Sequence, residues 1–354
     1  MHQNRVVAIA VSLLIAALAA CGGGGGHTAK KRVTPTSAPK PTVAPLTGLP
    51  DANGDSLRRP ALSIKIENTP EARPQTGLEA ADVVFEEVTE GEITRFVAVF
   101  NSTVPDVIGP IRSVRAMDPD LVTPLGGIFA YSGGIPETVA LIRQAPGVNS
   151  LDETQAGSAM FRDKSKRAPH NLYGHGQDLL AKGGQPAPVR PLFSYLDAGA
   201  AFNGDPVAQF DVGFKQGYAV TYTFDAASHT WKRSYGLAPH SAASGEQIAP
   251  TNVIVQFVGC CVPSPEGGAY QTVGQGQAWL FSDGKVVRGQ WTRSDRSQPT
   301  QYVDAAGAPV KLQPGRTWVE FVPASPDYPV NVTPGAPAPP SPSAPTKAPS
   351  TTRR

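Results

Sequence analysis

Cysteine is scarce in this sequence, and the scarcity limits the chemistry that the protein can perform. Only three cysteines occur among 354 residues, namely Cys21, Cys260 and Cys261. No C-x-x-C pair is present, and two neighbouring thiols cannot form a tetrahedral metal site without further ligands. Cys260 and Cys261 are compatible with a vicinal disulfide, two thiols or intermolecular bonds. We interpret them as an incidental pair at a strand end rather than as a redox or metal site.

An excess of one charge and the common catalytic motifs are also missing. The 31 basic and 29 acidic residues leave a formal net charge of +2, and no DNA-binding motif occurs, so we expect no nucleic acid partner. Neither G-x-S-x-G nor the phosphate-loop pattern is present. His170 and His175 are five residues apart and do not share a helix face. We therefore expect no metal and no cofactor, and the sequence favours a protein that is not an enzyme.

Long apolar runs are absent except at the start of the chain. Val6 to Ala20 is apolar apart from Ser12 and follows Arg5, which is the pattern of a signal peptide and is too short for a membrane span. Leu18 to Cys21 matches the bacterial lipobox, a signal in which the cysteine is lipidated and the chain is cut before it. An ordinary secretory signal is the alternative. We favour lipidation of Cys21, which would anchor the protein in the cell membrane on its extracytoplasmic side.

Composition divides the rest of the chain. Residues 21–45 contain five consecutive glycines and a Pro/Thr/Ala run, and residues 326–354 are rich in Pro, Ser and Thr, so both are predicted to be disordered. Between them, residues 46–200 and 205–325 are predicted to form two domains. We expect an α+β protein with a mixed α/β N-terminal domain and a mainly antiparallel β C-terminal domain.

A β-hairpin is the most informative element of the first half. Val83–Val88 and Ile93–Phe100 are rich in β-branched and aromatic residues, and Thr89–Glu92 supply the turn. If Ile93 and Val97 face the core, alternation places Arg95 on the same face, where it needs an acidic partner. Glu86 and Glu87 are the nearest candidates. Upstream, Leu62–Ile66 alternates apolar and polar residues and predicts a half-buried strand.

Arginines around this hairpin form the candidate site. Arg112 and Arg115 are three residues apart behind Gly109-Pro110, so a bend would aim both guanidinium groups the same way. An internal ion-pair network is one interpretation, and a cleft for an anionic or glycan-like ligand, to which Arg162 could also contribute, is the other. A carboxylate pair from Glu86, Glu87, Glu90 and Glu92 would suit a hydrolase. The predicted ligand-binding residues are Arg73, Glu86, Arg95, Arg112, Ser113, Arg115, His170 and Asn171.

The second half contains short strands separated by Pro and Gly. Asp283-Gly284 predicts a tight hairpin turn between two of them. The predicted strands are Val220–Phe224, Thr230–Arg233, Asn252–Val258, Ala278–Phe281, Lys285–Trp291 and Thr317–Val322.

Several segments carry a resemblance to a known family. In the first half they are Arg59–Asn68, Ala72–Leu78, Glu90–Phe96 and Ile108–Arg115, and in the second half Trp279–Lys285, Gly289–Trp291 and Leu312–Trp318. Together they resemble the YerB-like bacterial lipoproteins, whose two domains have no known function. The resemblance covers about Leu46 to Pro323, and Cys260-Cys261 and the Pro-rich tail depart from the usual pattern.

The resemblance implies a lipid-anchored extracytoplasmic protein, and it supplies no catalytic residues. Family members are suspected of acting around cell-wall synthesis. We expect a membrane-anchored protein that binds an envelope protein or a cell-wall component through its first domain. An envelope hydrolase acting on glycan or peptide is the alternative, and a structural spacer is a third interpretation.

Overall fold

The structure is a computed structural model that describes residues 42–183, 189–214, 218–259, 263–266 and 268–336. These residues belong to one compact unit. Several predicted features lie outside the described residues: the leader, Cys21, most of the tether, Cys260, Cys261 and the tail beyond residue 336.

Strands dominate the described residues, and the helices between them are short. The α-helices are α1 (Asp118–Val122), α2 (Pro136–Arg143), α3 (Glu153–Ala156) and α4 (Gly176–Ala181), and five single 3-10 turns accompany them. The first nine strands are β1 (Leu62–Glu67), β2 (Val83–Val88), β3 (Thr94–Phe100), β4 (Val107–Ile108), β5 (Gly127–Ala130), β6 (Val148–Leu151), β7 (Met160–Arg162), β8 (Leu172–His175) and β9 (Asp205–Phe214). The others are β10 (Tyr218–Asp225), β11 (Thr230–Tyr235), β12 (Ala238–Pro239), β13 (Asn252–Val258), β14 (Gly274–Ser282), β15 (Lys285–Arg293), β16 (Gln301–Asp304), β17 (Thr317–Pro323) and β18 (Val330–Pro334).

One large sheet contains strands from both halves of the sequence. Its order is β12-β11-β10-β9-β15-β14-β13-β17-β2-β3-β1-β5-β6, with β16 beside β15 and β18 beside β9. The strand β17, near the end of the described chain, lies parallel to β2 on one side and to β13 on the other. Strands from both sides of the predicted boundary at residues 200–205 therefore join one sheet. A small second sheet has the order β4-β8-β7.

The predicted hairpin is confirmed, with a correction at its turn. β2 and β3 pair antiparallel from Val83 with Val99 to Val88 with Thr94. Arg95 shares the face of Val97 and Val99, as predicted, because alternate residues of a strand point the same way. Ile93 does not share that face: it lies in the turn, and 38% of its surface is exposed.

The prediction of a half-buried first strand is wrong. All six residues of β1 are buried, including Ser63, Lys65 and Glu67. The alternating pattern arises because one face of β1 packs into an apolar core while the other meets buried charges, so polar residues there do not reach solvent. A period of two in the sequence shows which face a residue is on, and it does not show whether that face is covered.

Both faces of the large sheet are covered. On one face, Val97, Val99 and Phe129 pack with residues of α1 and α2 and with Val189–Phe202. On the other face, β9, β10 and β11 fold back over the sheet, so that the ring of Phe210 stacks on Phe281 with centroids 3.6 Å apart. This second face therefore has a core built from both ends of the sheet.

The fold is mainly β, so the α+β prediction is only loosely met. The four α-helices contain four to eight residues each, because turns soon follow them and the chain returns to strands. In the second half, all the predicted strands are present and their pairing is mostly antiparallel. The sequence analysis did not predict four further strands, β9, β12, β16 and β18. Asp283 and Gly284 form the predicted turn with positive φ angles of 49° and 68°. Residues 330–334 and 42–45 depart from the predicted disorder: β18 pairs with β9, and Ala44 is buried.

The parallel strands define two opposite edges of the sheet. β1, β2, β5, β6, β13 and β17 run in one direction, so their carboxyl ends share one edge, which we call the carboxyl edge. The first described residues pack at the opposite edge, where Gly315 N–H donates to Thr47 O at 2.7 Å and Thr317 N–H donates to Asp82 O at 3.0 Å. The length of β2, about 17 Å, separates the two edges. The segment that follows the predicted tether therefore enters the fold opposite the carboxyl edge.

Candidate functional site

A buried charge group lies beneath the carboxyl edge. The Lys65 ammonium contacts the Glu87 carboxylate and lies 2.7 Å from Asp118 Oδ1, and all three side chains are fully buried. Burial raises the pKa of Glu87 to about 7, and Asp118 also raises it, while Lys65 opposes the shift. Asp118 in turn accepts a hydrogen bond from Arg115 N–H at 2.7 Å. This group thereby fixes the backbone that carries Arg115.

Arg95 lies just above this group. It is the second residue of β3, and only 4% of its surface is exposed. Its guanidinium donates to Ser113 O at 3.2 Å and to Glu90 Oε1 at 3.2 Å. Burial and the nearby charges of Arg115 and Arg112 lower the pKa of Arg95. The partner of Arg95 is therefore Glu90 rather than Glu86 or Glu87, because Glu86 points to the other face and Glu87 is held by Lys65.

Arg115 and Glu90 form a bidentate pair beside Arg95. Arg115 Nε lies 2.6 Å from Glu90 Oε2, and Arg115 Nη2 contacts Glu90 Oε1. Burial raises the pKa of Glu90, but the hydrogen bond from Arg115 and the charge of Arg95 outweigh that effect and lower the pKa to about 2. Glu90 is therefore ionised at neutral pH and bridges two guanidinium groups.

Arg112 completes the group through a different carboxylate. Its Nε lies 3.2 Å from Glu67 Oε1, and His170 Nδ1 lies 2.9 Å from the same oxygen. The backbone holds Arg112 in place, because Arg112 N–H donates to Lys65 O at 2.9 Å and Ser132 N–H donates to Arg112 O at 3.0 Å. We call Arg95, Arg112 and Arg115 the arginine cluster. Within the described residues, the ion pairs of the three guanidinium groups are with Glu67 and Glu90.

A cavity of about 130 Å³ adjoins one side of the cluster. Glu90 and Arg115 contribute to its wall, while Arg112 and His170 do not. Glu266 also lines it and accepts hydrogen bonds from Ala116 N–H at 3.0 Å and Thr138 Oγ1 at 2.6 Å. Only part of the predicted cleft is therefore concave.

The structure brings together five of the eight predicted ligand-binding residues. Arg95, Arg112 and Arg115 form the cluster, Ser113 supplies a carbonyl to Arg95 and Arg115, and His170 shares Glu67 with Arg112.

The other three predicted residues lie elsewhere. Arg73 stacks on the Tyr235 ring with its guanidinium carbon 3.5 Å from the centroid. Asn171 accepts a hydrogen bond from Arg162 at 3.0 Å and donates to the carbonyl groups of Asp163 and Lys166, so it fixes a loop. Glu86 is fully buried on the opposite face of β2 from Arg95.

Glu86 belongs to an interior network that sequence analysis missed. Its carboxylate lies 2.6 Å from Arg233 Nη2, and Glu320 lies beside it in register on β17. Burial and the charge of Glu86 raise the pKa of Glu320 well above its usual value. Tyr222 O–H donates to Glu320 at 2.5 Å and accepts from Arg233 Nε at 3.1 Å.

His240 closes this network. Burial lowers the pKa of His240 well below its usual value, so the neutral ring accepts from Arg233 Nη1 at 2.6 Å and donates to Gln75 at 3.0 Å. A sequence signal for the network existed: Glu320 interrupts the apolar strand Thr317–Pro323, and Arg233 alternates with buried Trp231. An isolated charge within a buried run predicts a buried partner.

The described residues offer neither a cluster of metal ligands nor a membrane-spanning helix. Within the described ranges, no three His, Cys, Asp or Glu side chains gather as ligands for a metal ion. None of the helices in those ranges has the length and apolar character needed to cross a membrane.

Comparisons with known proteins agree with this architecture. A family model described as protein of unknown function (DUF3048), N-terminal domain, matches residues 46–187, and the model of the corresponding C-terminal domain matches residues 210–319. The chain is 30% identical over 307 residues to a protein named "Putative lipoprotein YerB" from Bacillus subtilis (strain 168), a match that covers 83% of this chain and 90% of that protein. The crystal structure of Bacillus subtilis YerB superposes with a TM-score of 0.71 at 24% identity, covering 82% of this chain and 99% of that one.

Proposed function

Because this chain belongs to the YerB-like family of lipoproteins, we propose that it is a lipid-anchored, extracytoplasmic binding protein. Residues 1–20 are the leader in this proposal, Cys21 carries the lipid, and residues 21–41 tether the folded part. The ligand is an envelope protein or a cell-wall component with negatively charged groups. We also keep the division into sequence modules at residues 46–200 and 205–325 as a proposal.

The observation that carries the proposal is the position of the arginine cluster. It lies at the carboxyl edge, where ligands bind in many sheets that contain parallel strands. The first described residues pack at the opposite edge of the sheet, so they leave the cluster uncovered.

The chemistry of the cluster favours an anion. Guanidinium groups bind carboxylate and phosphate through paired hydrogen bonds. Burial is the main cause of the lowered pKa of Arg95, and the charges of Arg115 and Arg112 add to it, so an anionic group of the partner would favour the charged form of Arg95. Arg112 and Arg115 remain partly exposed and accessible to such a group.

The hydrolase alternative depends on Glu86 or Glu90, and neither suits the role of a general acid. Glu86 is fully buried in the interior network and inaccessible to a substrate. Glu90 is held ionised between two arginines, so it cannot donate a proton at neutral pH. We therefore propose binding rather than catalysis.

Membrane pull-down tests the binding role. Full-length protein carrying Arg112→Ala and Arg115→Ala is compared with wild type and with an Arg58→Ala/Arg288→Ala control, which removes two arginines from exposed ion pairs elsewhere. We expect the cluster variant to lose partners that wild type and control retain, with all three proteins equally folded by thermal melting. Identical partner sets would contradict the role of the cluster and favour a spacer.

The anchor has a separate test. Detergent phase partition of full-length protein and of a Cys21→Ser variant should place the wild type in the detergent phase and the variant in the aqueous phase. Mass spectrometry that shows an uncut, unmodified leader would refute lipidation.

A further inference from the structure

A strongly basic loop adjoins the arginine cluster. Residues 162–170 connect β7 to the residues before β8. Asn171 fixes this loop by donating to Asp163 O at 3.3 Å and Lys166 O at 3.4 Å. Asp163 Oδ1 accepts hydrogen bonds from Ser165 N–H at 2.9 Å and Ser165 Oγ at 2.7 Å. The loop is therefore held in one shape by its own polar groups.

The charges of this loop are mostly uncompensated. Arg162 is paired with Glu153, with Nε and Oε1 2.9 Å apart. Lys164 and Arg167 are exposed and have no ion pair among the described residues, and Lys166 has only the Tyr173 ring, 5.2 Å from its ammonium. Asp163 is the one carboxylate within the loop. Apart from Arg162, which is paired, the loop therefore carries three cationic side chains and one carboxylate.

The loop and the cluster meet at the carboxylate of Glu67. His170 ends the loop and lies 2.9 Å from Glu67 Oε1, the same oxygen that lies 3.2 Å from Arg112 Nε. Lys164, Lys166 and Arg167 precede His170 in this loop. A hydrogen bond from its own backbone N–H lowers the pKa of the exposed Glu71 nearby, and the charge of His170 contributes to the lowering. The shared carboxylate of Glu67 is 1% exposed, so it contributes little negative charge at the surface.

We propose that the loop at residues 162–170 and Arg112 together bind an anionic polymer that carries repeated phosphate groups. The inference rests on the proposed function and names the class of ligand for it. Proteins commonly bind phosphate through the guanidinium group of arginine and the ammonium group of lysine. Several cationic side chains close together in the loop could bind successive phosphate groups of a polymer.

Two features favour a polymer over other partners. The loop contains no aromatic and no large aliphatic residue, whereas protein interfaces depend on buried aromatic and apolar anchors. The surface also lies at the carboxyl edge of the sheet through its contact with Glu67, the last residue of β1. A bilayer of anionic lipids is the competing macromolecule, and the experiment separates the two.

The test measures binding of full-length protein in neutral detergent to long-chain inorganic polyphosphate. The variant is Lys164→Gln/Arg167→Gln, and the control is Lys311→Gln/Arg190→Gln, which removes the same charges from exposed positions elsewhere. We expect the loop variant to bind at least about tenfold more weakly near physiological salt. The slope of log Kd against log salt should fall by about 1.5, because each neutralised phosphate contributes roughly 0.7 to 0.9. The control should change Kd less than about twofold.

Other outcomes overturn the inference. Equal loss in the loop variant and the control would mean that only net charge matters. Tighter binding to poly-L-glutamate than to polyphosphate would refute the ligand class, and tighter binding to vesicles with anionic lipid would assign the surface to a membrane. If the loop variant binds polyphosphate like wild type while the Arg112/Arg115 variant still loses its partners, the inference fails and the proposed function stands.

Discussion

Replacing Glu87 with glutamine should remove a pH dependence of stability. Burial raises the pKa of Glu87 from 4.5 to about 7, so the folded state keeps this proton to higher pH than the unfolded chain does. The folded state is therefore penalised as pH rises from about 4.5, where the unfolded carboxyl ionises, until about 7, where the folded one does. One pKa unit corresponds to about 1.4 kcal/mol, so the loss amounts to about 3 kcal/mol by pH 8.

Glutamine resembles the protonated carboxyl and does not titrate. In Glu87→Gln the Lys65 ammonium is left with Asp118, which is 2.7 Å away, so the buried group stays neutral. We expect the variant to match wild type within about 1 kcal/mol at pH 5 and to be more stable by about 3 kcal/mol at pH 8. Urea unfolding of both proteins at pH 5, 6, 7 and 8, followed by tryptophan fluorescence, gives the difference directly.

The titration of other groups contributes equally to the free energy of unfolding of both proteins, so it cancels in the difference between variant and wild type. Glu137→Gln, an exposed acid on α2, is the matched control and should leave the slope with pH unchanged. A wild-type and a Glu87→Gln curve that run parallel from pH 5 to pH 8 would refute the reasoning. So would a variant that is less stable than wild type at pH 8, since that result would require an ionised Glu87 that Lys65 stabilises in the fold.

Three further predictions concern the interior network and the end of the described chain. Arg233→Met should destabilise the protein by about 3–5 kcal/mol in urea unfolding, because it leaves buried carboxyl groups without their cation; a loss below about 1 kcal/mol would contradict the network. Glu320→Gln should cost less than about 1.5 kcal/mol by the same assay, because the raised pKa favours the protonated carboxyl, which glutamine resembles. A cost like that of Arg233→Met would contradict this reasoning. Deleting residues 337–354 should leave the melting temperature unchanged. Deleting residues 329–354 should lower it by several degrees, because β18 pairs with the edge of β9. Equal melting temperatures of the two deletion variants would show that β18 adds no stability.

Local patterns predicted the elements better than their surroundings. The hairpin of β2 and β3 and the Asp283-Gly284 turn follow from residue types a few positions apart. β18 was missed because its sequence, Val330–Pro334, resembles the Pro-rich tail that follows it. Its partner β9 lies more than a hundred residues away, and no short-range pattern reports such a pairing.

The candidate site shows the same limit. Alternation placed Arg95 on the correct face, but its partner Glu90 lies in the turn rather than on the facing strand. Glu86 was assigned to the site because it lies on the strand that faces Arg95, but its side chain points to the opposite face of that strand from Glu87. His170 was correctly grouped with Arg112, yet the carboxylate that joins them, Glu67, ends a strand whose polar residues were expected to face solvent.

The position of β17 has a consequence for how the chain acquires its structure. β2 lies between β3 and β17. Residues up to 100 can therefore form the hairpin, but the other edge of β2 stays unpaired until β17, residues 317–323, is available. During synthesis or export from the amino terminus, more than two hundred residues emerge before that edge is paired. An unpaired apolar edge invites association with other chains. A fragment that stops at the boundary between the sequence modules should therefore aggregate, and this protein must become native late, when nearly its whole length is available.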